Sequence, residues 1–320
     1  DKELELTAIS TRQGRIGGVS QGEVISFLGV RYGVPPVGAR RFMASEMADG
    51  WHGVYDATHF PNRAMQNRTL STLGLPVGGS VSEDCLFLNI ATPSVAGSLR
   101  PVIVWFHGGG FVAGSANEYD GTVLADQGDV VVVTVNSRLG PFGFLDLSKS
   151  GADYLGSASN GLRDQILALT WISENIEDYG GDPKNVTISG QSSGGSSVLS
   201  LLACPSADEL YHKAIACSPT AVYSRQTNRA EDLADRLNCA PQDCLELLLE
   251  MSATDLVNMQ IGSRITVDGH VVTRSTFEAI EDRGENGVPL LTGTTLTEGS
   301  YYTKGDPECG TIIPGLITIS

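Results

Sequence analysis

The chain has 320 residues, of which 41% are hydrophobic and 18% are charged, so it has ample material for a globular core. Its formal net charge of −16 argues against the basic surface by which proteins bind nucleic acids. No apolar stretch is long enough to span a bilayer, and no signal peptide is visible at the N-terminus. We find neither a repeat nor a convincing linker, and we therefore expect one domain over residues 1–320.

The first part of the chain predicts strands. Residues 4–30 contain three short strand-forming runs separated by glycine and polar turns, the pattern of a meander. Residues 61–82 are rich in Asn, Ser, Thr and Gly and predict a long surface loop.

The middle of the chain alternates apolar strands with helices. Continuous apolar runs at 102–106 and 130–135 suit strands that are buried on both faces of a parallel sheet. Between about 161 and 179, apolar residues at spacings of three and four predict an amphipathic helix. A strand, a helix and a further strand are predicted at 186–189, 197–202 and 214–217. This alternation predicts an α/β protein with a doubly wound sheet.

The strand predicted at 186–189 leads into Gly190-Gln191-Ser192-Ser193-Gly194. A G-x-S-x-G segment between a strand and a helix is typical of a nucleophile elbow, a strained turn that lifts a serine hydroxyl above the sheet. The same five residues also occur by chance in glycine-rich turns whose serine has no chemical role. The segment is therefore a candidate for nucleophilic catalysis that needs a second signal.

The second signal is His107-Gly108-Gly109-Gly110, which directly follows the strand predicted at 102–106. Lipases and esterases place such a segment where its backbone N–H groups stabilise an oxyanion. The alternatives are a flexible turn and a phosphate-binding loop, but neither Lys-Ser nor Lys-Thr follows the glycines, which excludes a Walker motif. Because both motifs follow strand ends of one predicted sheet, together they predict ester hydrolysis far more specifically than either does alone.

These motifs and several longer blocks resemble the type B carboxylesterases, a family that includes cholinesterases, bacterial para-nitrobenzyl-type esterases and the inactive neuroligins. The resemblance covers nearly the whole chain, and its most similar blocks lie at 28–43, 82–90, 102–115, 135–145, 161–195 and 296–302. The resemblance implies an α/β-hydrolase fold, with a mostly parallel sheet and helices on both faces. It also implies hydrolysis of carboxylic esters through a serine acyl-enzyme, without a cofactor or metal.

The resemblance implies a role for individual residues. Ser192 would be the nucleophile, and the oxyanion hole would comprise Gly109, Gly110 and the N–H of Ser193. Glu298 would be the acid that orients a histidine, although by itself it reads as a surface acid. The resemblance further implies two internal ion pairs and one disulfide, which are Arg41–Glu83, Arg138–Asp164 and Cys239–Cys244.

The histidine of the triad has no candidate in this sequence. Hydrolases of this fold place the triad in the order Ser, Asp or Glu, then His, but no histidine follows Glu298. The five histidines present all precede it, at His52, His59, His107, His212 and His270. Without an imidazole, Ser192 has no general base. We therefore expect the chain to be the N-terminal portion of a longer family domain, with the C-terminal portion missing.

Two departures from the cholinesterases concern the substrate. No Trp lies between Trp51 and Trp105, where the resemblance would place a cation-binding Trp, and Gln191 replaces the acid before the nucleophile. Both argue against a quaternary ammonium ester. A third departure is that Met65 stands where Cys85 would have its disulfide partner.

Three functions remain open from the sequence. The first, which the motifs favour, is a carboxylic ester hydrolase acting on small neutral esters. The second is a neuroligin-like adhesion or binding module, and the third is an inactive remnant that binds acyl ligands. Neuroligins have typically lost the nucleophile, whereas Ser192, the glycine segment and Glu298 are all present here. We expect no nucleic-acid partner, and the sequence does not specify the natural ester or the oligomeric state.

Overall fold

The computed structural model describes residues 5–67, 77–220, 233–235, 237, 239, 244–261, 264–284, 287–296 and 298. Within these residues, one ten-stranded sheet organises the molecule, and a two-stranded sheet lies beside it. The strands are β1 (Glu5–Thr11), β2 (Gly14–Gln21), β3 (Val24–Arg31), β4 (Val54–Asp56), β5 (Arg63–Ala64), β6 (Val81–Ser82), β7 (Phe87–Thr92), β8 (Arg100–Phe106), β9 (Val131–Val135), β10 (Gly181–Gln191), β11 (Lys213–Cys217) and β12 (Leu290–Gly293). The α-helices are α1 (Thr122–Gly128), α2 (Gly140–Phe144), α3 (Asn160–Asn175), α4 (Ser193–Leu201), α5 (Cys244–Glu250), α6 (Ala253–Asn258) and α7 (Thr276–Arg283).

The large sheet has the order β1-β2-β3-β7-β9-β8-β10-β11-β12, with β4 beside β2. Neighbouring strands from β1 to β9 along this order are antiparallel, and they include the predicted N-terminal meander. From β9 to β12 every pair is parallel. The carboxyl ends of β8, β10, β11 and β12 therefore meet at one edge of the sheet, which is where ligands bind in open α/β folds.

Helices pack on the two faces of this sheet. Successive residues of a strand point to opposite faces, so Val132 faces one way and Val131 and Val133 the other. Val132 packs in a cluster with Ala125 of α1, whereas Val131 and Val133 belong to the main core together with Leu169 of α3. The apolar runs of the sequence are thus buried from both sides, as a parallel sheet requires.

Several element boundaries differ from those predicted. α3 ends at Asn175, and a 3₁₀ turn occupies Ile176–Tyr179, so the predicted helix at 161–179 is shorter. α4 spans Ser193–Leu201, so it begins four residues before the predicted start at 197. In the predicted surface loop at 61–82, residues 68–76 lie outside the described residues, and the flanks pair as β5 and β6. Arg63, Ala64 and Gln66 are buried, so this part of the loop prediction is wrong.

The two expected ion pairs are present. Arg41 donates to Glu83 through Nε, at 2.8 Å, and Nη2, and Arg138 does the same to Asp164 at 2.9 and 2.7 Å. The Arg138–Asp164 pair is completely buried.

Cysteine chemistry follows the expectation from the resemblance. Cys239 and Cys244 are joined by a disulfide, and Cys85 is a free, buried thiol. Cys85 lines a small cavity together with Met65, the residue that replaces its partner. Burial raises the pKa of the Cys85 thiol far above its ordinary value, so this thiol stays protonated at neutral pH.

Among the helices that the structure describes, none combines the length and apolar character needed to cross a bilayer.

Candidate active site

The serine of the G-x-S-x-G segment occupies a sharp turn between β10 and α4. Ser192 has φ 56° and ψ −123°, a backbone conformation that residues with side chains rarely adopt. Its N–H donates to the carbonyl of Cys217 at 2.9 Å, and its own carbonyl accepts from the N–H of Ser196 at 2.9 Å. Hydrogen bonds on both sides therefore hold the strained turn, as a nucleophile elbow requires.

Glycine is required next to this turn because backbones approach closely there. A Cβ on Gly194 would lie 1.9 Å from the carbonyl oxygen of Phe106, at the end of β8. A Cβ on Gly190 would lie 2.5 Å from the carbonyl carbon of Gly194. Both distances are far below van der Waals contact, so side chains at these positions would push α4 away from the sheet.

The second motif lies directly against the first. β8 ends at Phe106 and is followed by His107–Gly110, the glycine loop. This loop passes over the elbow, so that a Cβ on Gly108 would be 3.3 Å from the Cβ of Ser192. Gly109 and Gly110 have φ values of 115° and 66°, which only glycine adopts at low cost. The two motifs, separated by some eighty residues in the sequence, thus form one site at the carboxyl ends of β8 and β10.

Glu298 lies near the same edge of the sheet. The N–H of Ser218, which follows β11, donates to the carbonyl of Gly293 at the end of β12 (2.7 Å). The Oε2 of Glu298 accepts from the hydroxyl of Thr295 at 2.8 Å. The neighbouring Ser218 side chain and then Thr295 lower the pKa of the Glu298 carboxyl, which favours its ionised form. Its Oε1 is covered and accepts no hydrogen bond from the described residues.

Sequence reasoning missed Ser218. A polar residue directly after a strand at the carboxyl edge of the sheet is the signal that would have found it. Ser218 directly follows Cys217, whose carbonyl accepts from the Ser192 N–H, and its side chain favours the ionised form of Glu298.

Four of the five histidines lie too far from Ser192 to act as its base. His212 accepts from the N–H of Val186 through Nδ1 (3.1 Å) at the start of β11, which is the opposite edge of the sheet. His270 is exposed. Its loop is attached beyond the end of α4 that is far from Ser192, where the N–H of Thr273 donates to the carbonyl of Ala203. His52 and His59 are exposed near the N-terminal strands.

His107 is the one histidine close to the elbow, and it is buried. Its Nδ1 lies 2.8 Å from the carbonyl oxygen of Gly108, and a Cβ on Gly114 would be 2.5 Å from the same nitrogen. Burial lowers the pKa of His107, only partly offset by the Gly108 carbonyl, so the ring is neutral near pH 7. The ring therefore supports the glycine loop from within.

A cavity of about 500 Å³ opens beside the glycine loop. Its described lining is uncharged and comprises Met65, Asn67, Val112, Ala113, Gly140, Pro141, Val257, Gln260 and Ile261. Val112 and Ala113 reach this cavity from the turn that begins at Gly109, whose carbonyl accepts from both N–H groups at 3.2 and 3.1 Å. The size fits a small organic ligand.

The carboxylesterase family model matches residues 5–309. The chain belongs to the carboxylesterase family. It is 37% identical to the para-nitrobenzyl esterase of Bacillus subtilis over 94% of this chain and 64% of that protein. It is 34% identical to mouse neuroligin-2 over 96% of this chain and 43% of that protein.

A crystal structure of the Geobacillus stearothermophilus carboxylesterase EST55 superposes with a TM-score of 0.86 at 38% identity, covering 94% of this chain and 64% of that one. The predicted α/β-hydrolase fold is therefore confirmed. The chain spans less than two thirds of the length of these relatives.

Proposed function

We propose that this protein hydrolyses small neutral carboxylic esters through an acyl-enzyme on Ser192. The observation that carries the proposal is the contact between the elbow and the glycine loop, in which a Cβ on Gly108 would lie 3.3 Å from the Ser192 Cβ. An ester carbonyl attacked by Ser192 develops negative charge on its oxygen. Backbone N–H groups of Gly109, Gly110 and Ser193 are the donors we assign to that oxygen.

The reaction needs a base to take the Ser192 hydroxyl proton as its oxygen attacks the carbonyl carbon. The alcohol then leaves with that proton, and water releases the acid by the reverse steps. We assign this base to an imidazole, the group that fills the role in hydrolases of this fold. One ring nitrogen would accept the Ser192 proton, and the N–H on the other would donate to the Oε1 of Glu298, which is covered and accepts no hydrogen bond from the described residues. The lowered pKa keeps Glu298 ionised, so that it can stabilise the imidazolium.

The cavity beside the glycine loop favours an uncharged substrate. Its described lining carries no ionisable side chain, and Gln191 immediately before the nucleophile is neutral. A cationic alcohol group would lose water there without gaining a carboxylate partner. This supports neutral acyl and alcohol groups.

The nucleophile assignment is tested with Ser192→Ala in the protein expressed to the natural end of its reading frame. We expect ester turnover to fall by at least about 10⁴-fold because the covalent step is lost. A fluorophosphonate probe should label the wild type at Ser192.

Ser200→Ala is the matched control. Ser200 is buried in α4, the helix that begins directly after Ser192, and it donates to the Ser196 carbonyl at 2.7 Å. It should retain turnover. Labelling of another serine, or an active Ser192→Ala protein, would refute the assignment. A folded wild type that neither turns over nor labels would favour a binding role.

The substrate assignment is tested with butyrylcholine and its neutral isostere 3,3-dimethylbutyl butyrate. We expect the larger kcat/KM for the neutral ester, because the described cavity lacks a partner for the ammonium group. Gln191→Glu should reduce the difference in kcat/KM between the two esters, because it adds a carboxylate next to the nucleophile. A wild-type preference for the choline ester would contradict the assignment.

A further inference from the structure

Gln66 makes an unusual pair of contacts behind the glycine loop. Its side-chain Oε1 accepts from the N–H of Gly114 at 3.0 Å, and its Nε2 donates to the carbonyl of Gly114 at 2.9 Å. Nε2 also donates to the carbonyl of Ala64 at 3.1 Å. The side chain is buried, so these bonds replace water for the backbone groups of Gly114.

The peptide that Gln66 holds is the one against which Gly109 packs. A Cβ on Gly109 would lie 2.1 Å from the carbonyl oxygen of Ala113 and 3.3 Å from the N of Gly114. A Cβ on Gly114 would lie 2.4 Å from the carbonyl oxygen of Gly108. The Ala113–Gly114 peptide, whose N–H donates to Gln66, therefore lies between the glycine loop and the Gln66 amide.

The chain after Gly114 is fixed separately. Asn136 Oδ1 accepts from the hydroxyl of Ser115 at 3.1 Å and from the N–H of Ala116 at 2.8 Å. Asn136 is itself held, because its carbonyl accepts from the Tyr32 hydroxyl at 2.6 Å. Of these described contacts, those of Gln66 are the ones that reach the peptide directly behind Gly109.

The neighbours of Gln66 face the other way. Met65 and Asn67 line the cavity of about 500 Å³, whereas Gln66 points to Gly114. One short segment thus forms part of the cavity wall and supports the glycine loop. This segment falls in the region that the sequence predicted to be a surface loop.

We propose that Gln66 is a positioning residue that sets the Gly109 and Gly110 N–H groups at the distance from Ser192 that an oxyanion needs. The proposal rests on the proposed esterase function. Gln66 touches neither substrate nor nucleophile, and it acts through the Ala113–Gly114 peptide. An amide is suited to this role because it offers one acceptor and one donor, which match the N–H and the carbonyl of a single residue, Gly114.

The test compares Gln66→Met with wild type, both expressed to the natural end of the reading frame. Met keeps the length and apolar volume of the side chain but removes all three hydrogen bonds. We expect kcat for para-nitrophenyl acetate, and the rate of Ser192 labelling by a fluorophosphonate, to fall about tenfold to hundredfold with KM little changed. Amide hydrogen exchange over residues 109–114 should become faster.

Gln66→Glu separates positioning from stability. A carboxylate keeps the acceptor for the Gly114 N–H but faces two carbonyl oxygens without a proton to donate. Burial raises the pKa of such a carboxyl, so protonation restores a donor as the pH falls. The activity ratio of Gln66→Glu to wild type should therefore rise from pH 8 to pH 6, whereas that of Gln66→Met should stay constant.

Asn175→Ala is the control for loss of a buried amide, since Asn175 donates to the Trp171 carbonyl at 2.8 Å at the end of α3. It should lower the melting temperature without changing kcat. The proposal is overturned if Gln66→Met labels and turns over like wild type, or if it resembles Asn175→Ala. Should wild type fail to label at all, the esterase proposal fails. Amide hydrogen exchange then tests the positioning role by itself. Unchanged exchange over residues 109–114 in Gln66→Met would overturn that role.

Discussion

His107 sits inside the glycine loop as a neutral, buried ring rather than as a base. Its neighbours are the carbonyl of Gly108 and the backbone of Gly114, neither of which can compensate a full positive charge. Because burial lowers its pKa, protonation is harder in the folded protein than in the unfolded chain. The ring therefore makes the stability of the folded protein depend on pH.

The sign of this linkage is fixed by the direction of the shift. An unfolded His107 binds a proton below about pH 6.5, where the folded one does not, so the free energy of unfolding falls as the pH drops below that value. We expect His107→Gln to flatten the loss of stability between pH 6.5 and 5. The difference in slope should be at most about 1.4 kcal/mol per pH unit.

The measurement is urea unfolding at a series of pH values, followed by tryptophan fluorescence. His59→Gln is the control, because the His59 side chain is 84% exposed rather than buried. Equal slopes for wild type and His107→Gln would show that the buried ring carries no such penalty.

At this scale the sequence predicts roles for residues that lie in short motifs. Ser192, Gly109 and Gly110 were proposed because glycine and serine at fixed spacings follow predicted strands. Gln66 was missed because its partners are backbone atoms about fifty residues away, which no local pattern reports.

Elements are joined by a buried ion pair between Arg138, which follows β9, and Asp164 of α3. Arg138 donates from its backbone N–H and Nε to Oδ2, both at 2.9 Å, and from Nη2 to Oδ1 at 2.7 Å. Its Nη1 donates to the carbonyl of Met43 at 2.7 Å. The pair therefore fixes α3 relative to β9 and to the segment that contains Met43.

We expect Asp164→Ala to lower the free energy of unfolding by about 3–5 kcal/mol, because it leaves the guanidinium buried without a counter-ion. Equilibrium denaturation measures this change. Glu46→Gln is the matched control, since Glu46 pairs with Arg40 at the surface and both side chains are more than half exposed. Its effect should stay below about 1 kcal/mol, and a comparable loss in both variants would contradict the prediction.

The order of the elements was predicted more accurately than their ends. The start of α4 was missed because Ser193, Gly194, Gly195 and Ser196 are weak helix formers. These small residues are needed where the helix passes Phe106 and Cys217, so tertiary packing outweighs local propensity there. The buried part of the segment at 61–82 was missed because its composition resembles that of a surface loop.

At the scale of the whole molecule, the parallel end of the sheet carries an exposed apolar strand. Among the described residues β12 pairs with β11 alone, and the side chain of Leu291 is 65% exposed. Unpaired strand edges with apolar side chains favour association between molecules. The acidic charge of −16 opposes this association at low salt.

We expect residues 1–320 expressed alone to bind a hydrophobic dye, to self-associate increasingly with added salt, and to show no ordinary esterase turnover. Leu291→Lys should reduce both dye binding and association, because it places a charge on the open edge. Leu6→Lys is the control, since Leu6 is 81% exposed on β1 at the opposite end of the sheet. Dye fluorescence and sedimentation velocity report the two effects. An equal response to both substitutions would show that association does not use β12.

Ser192 and Glu298 are carried by parts of the sheet with different support. Ser192 follows β10, which has β8 and β11 as neighbours, whereas Glu298 follows β12, which among the described residues is secured from one side. Local opening occurs most readily where a strand has the fewest partners. The carboxylate can therefore detach while the serine turn and its glycine loop remain folded. Under the proposed esterase mechanism, that partly opened form would still bind an ester but would cleave it far more slowly.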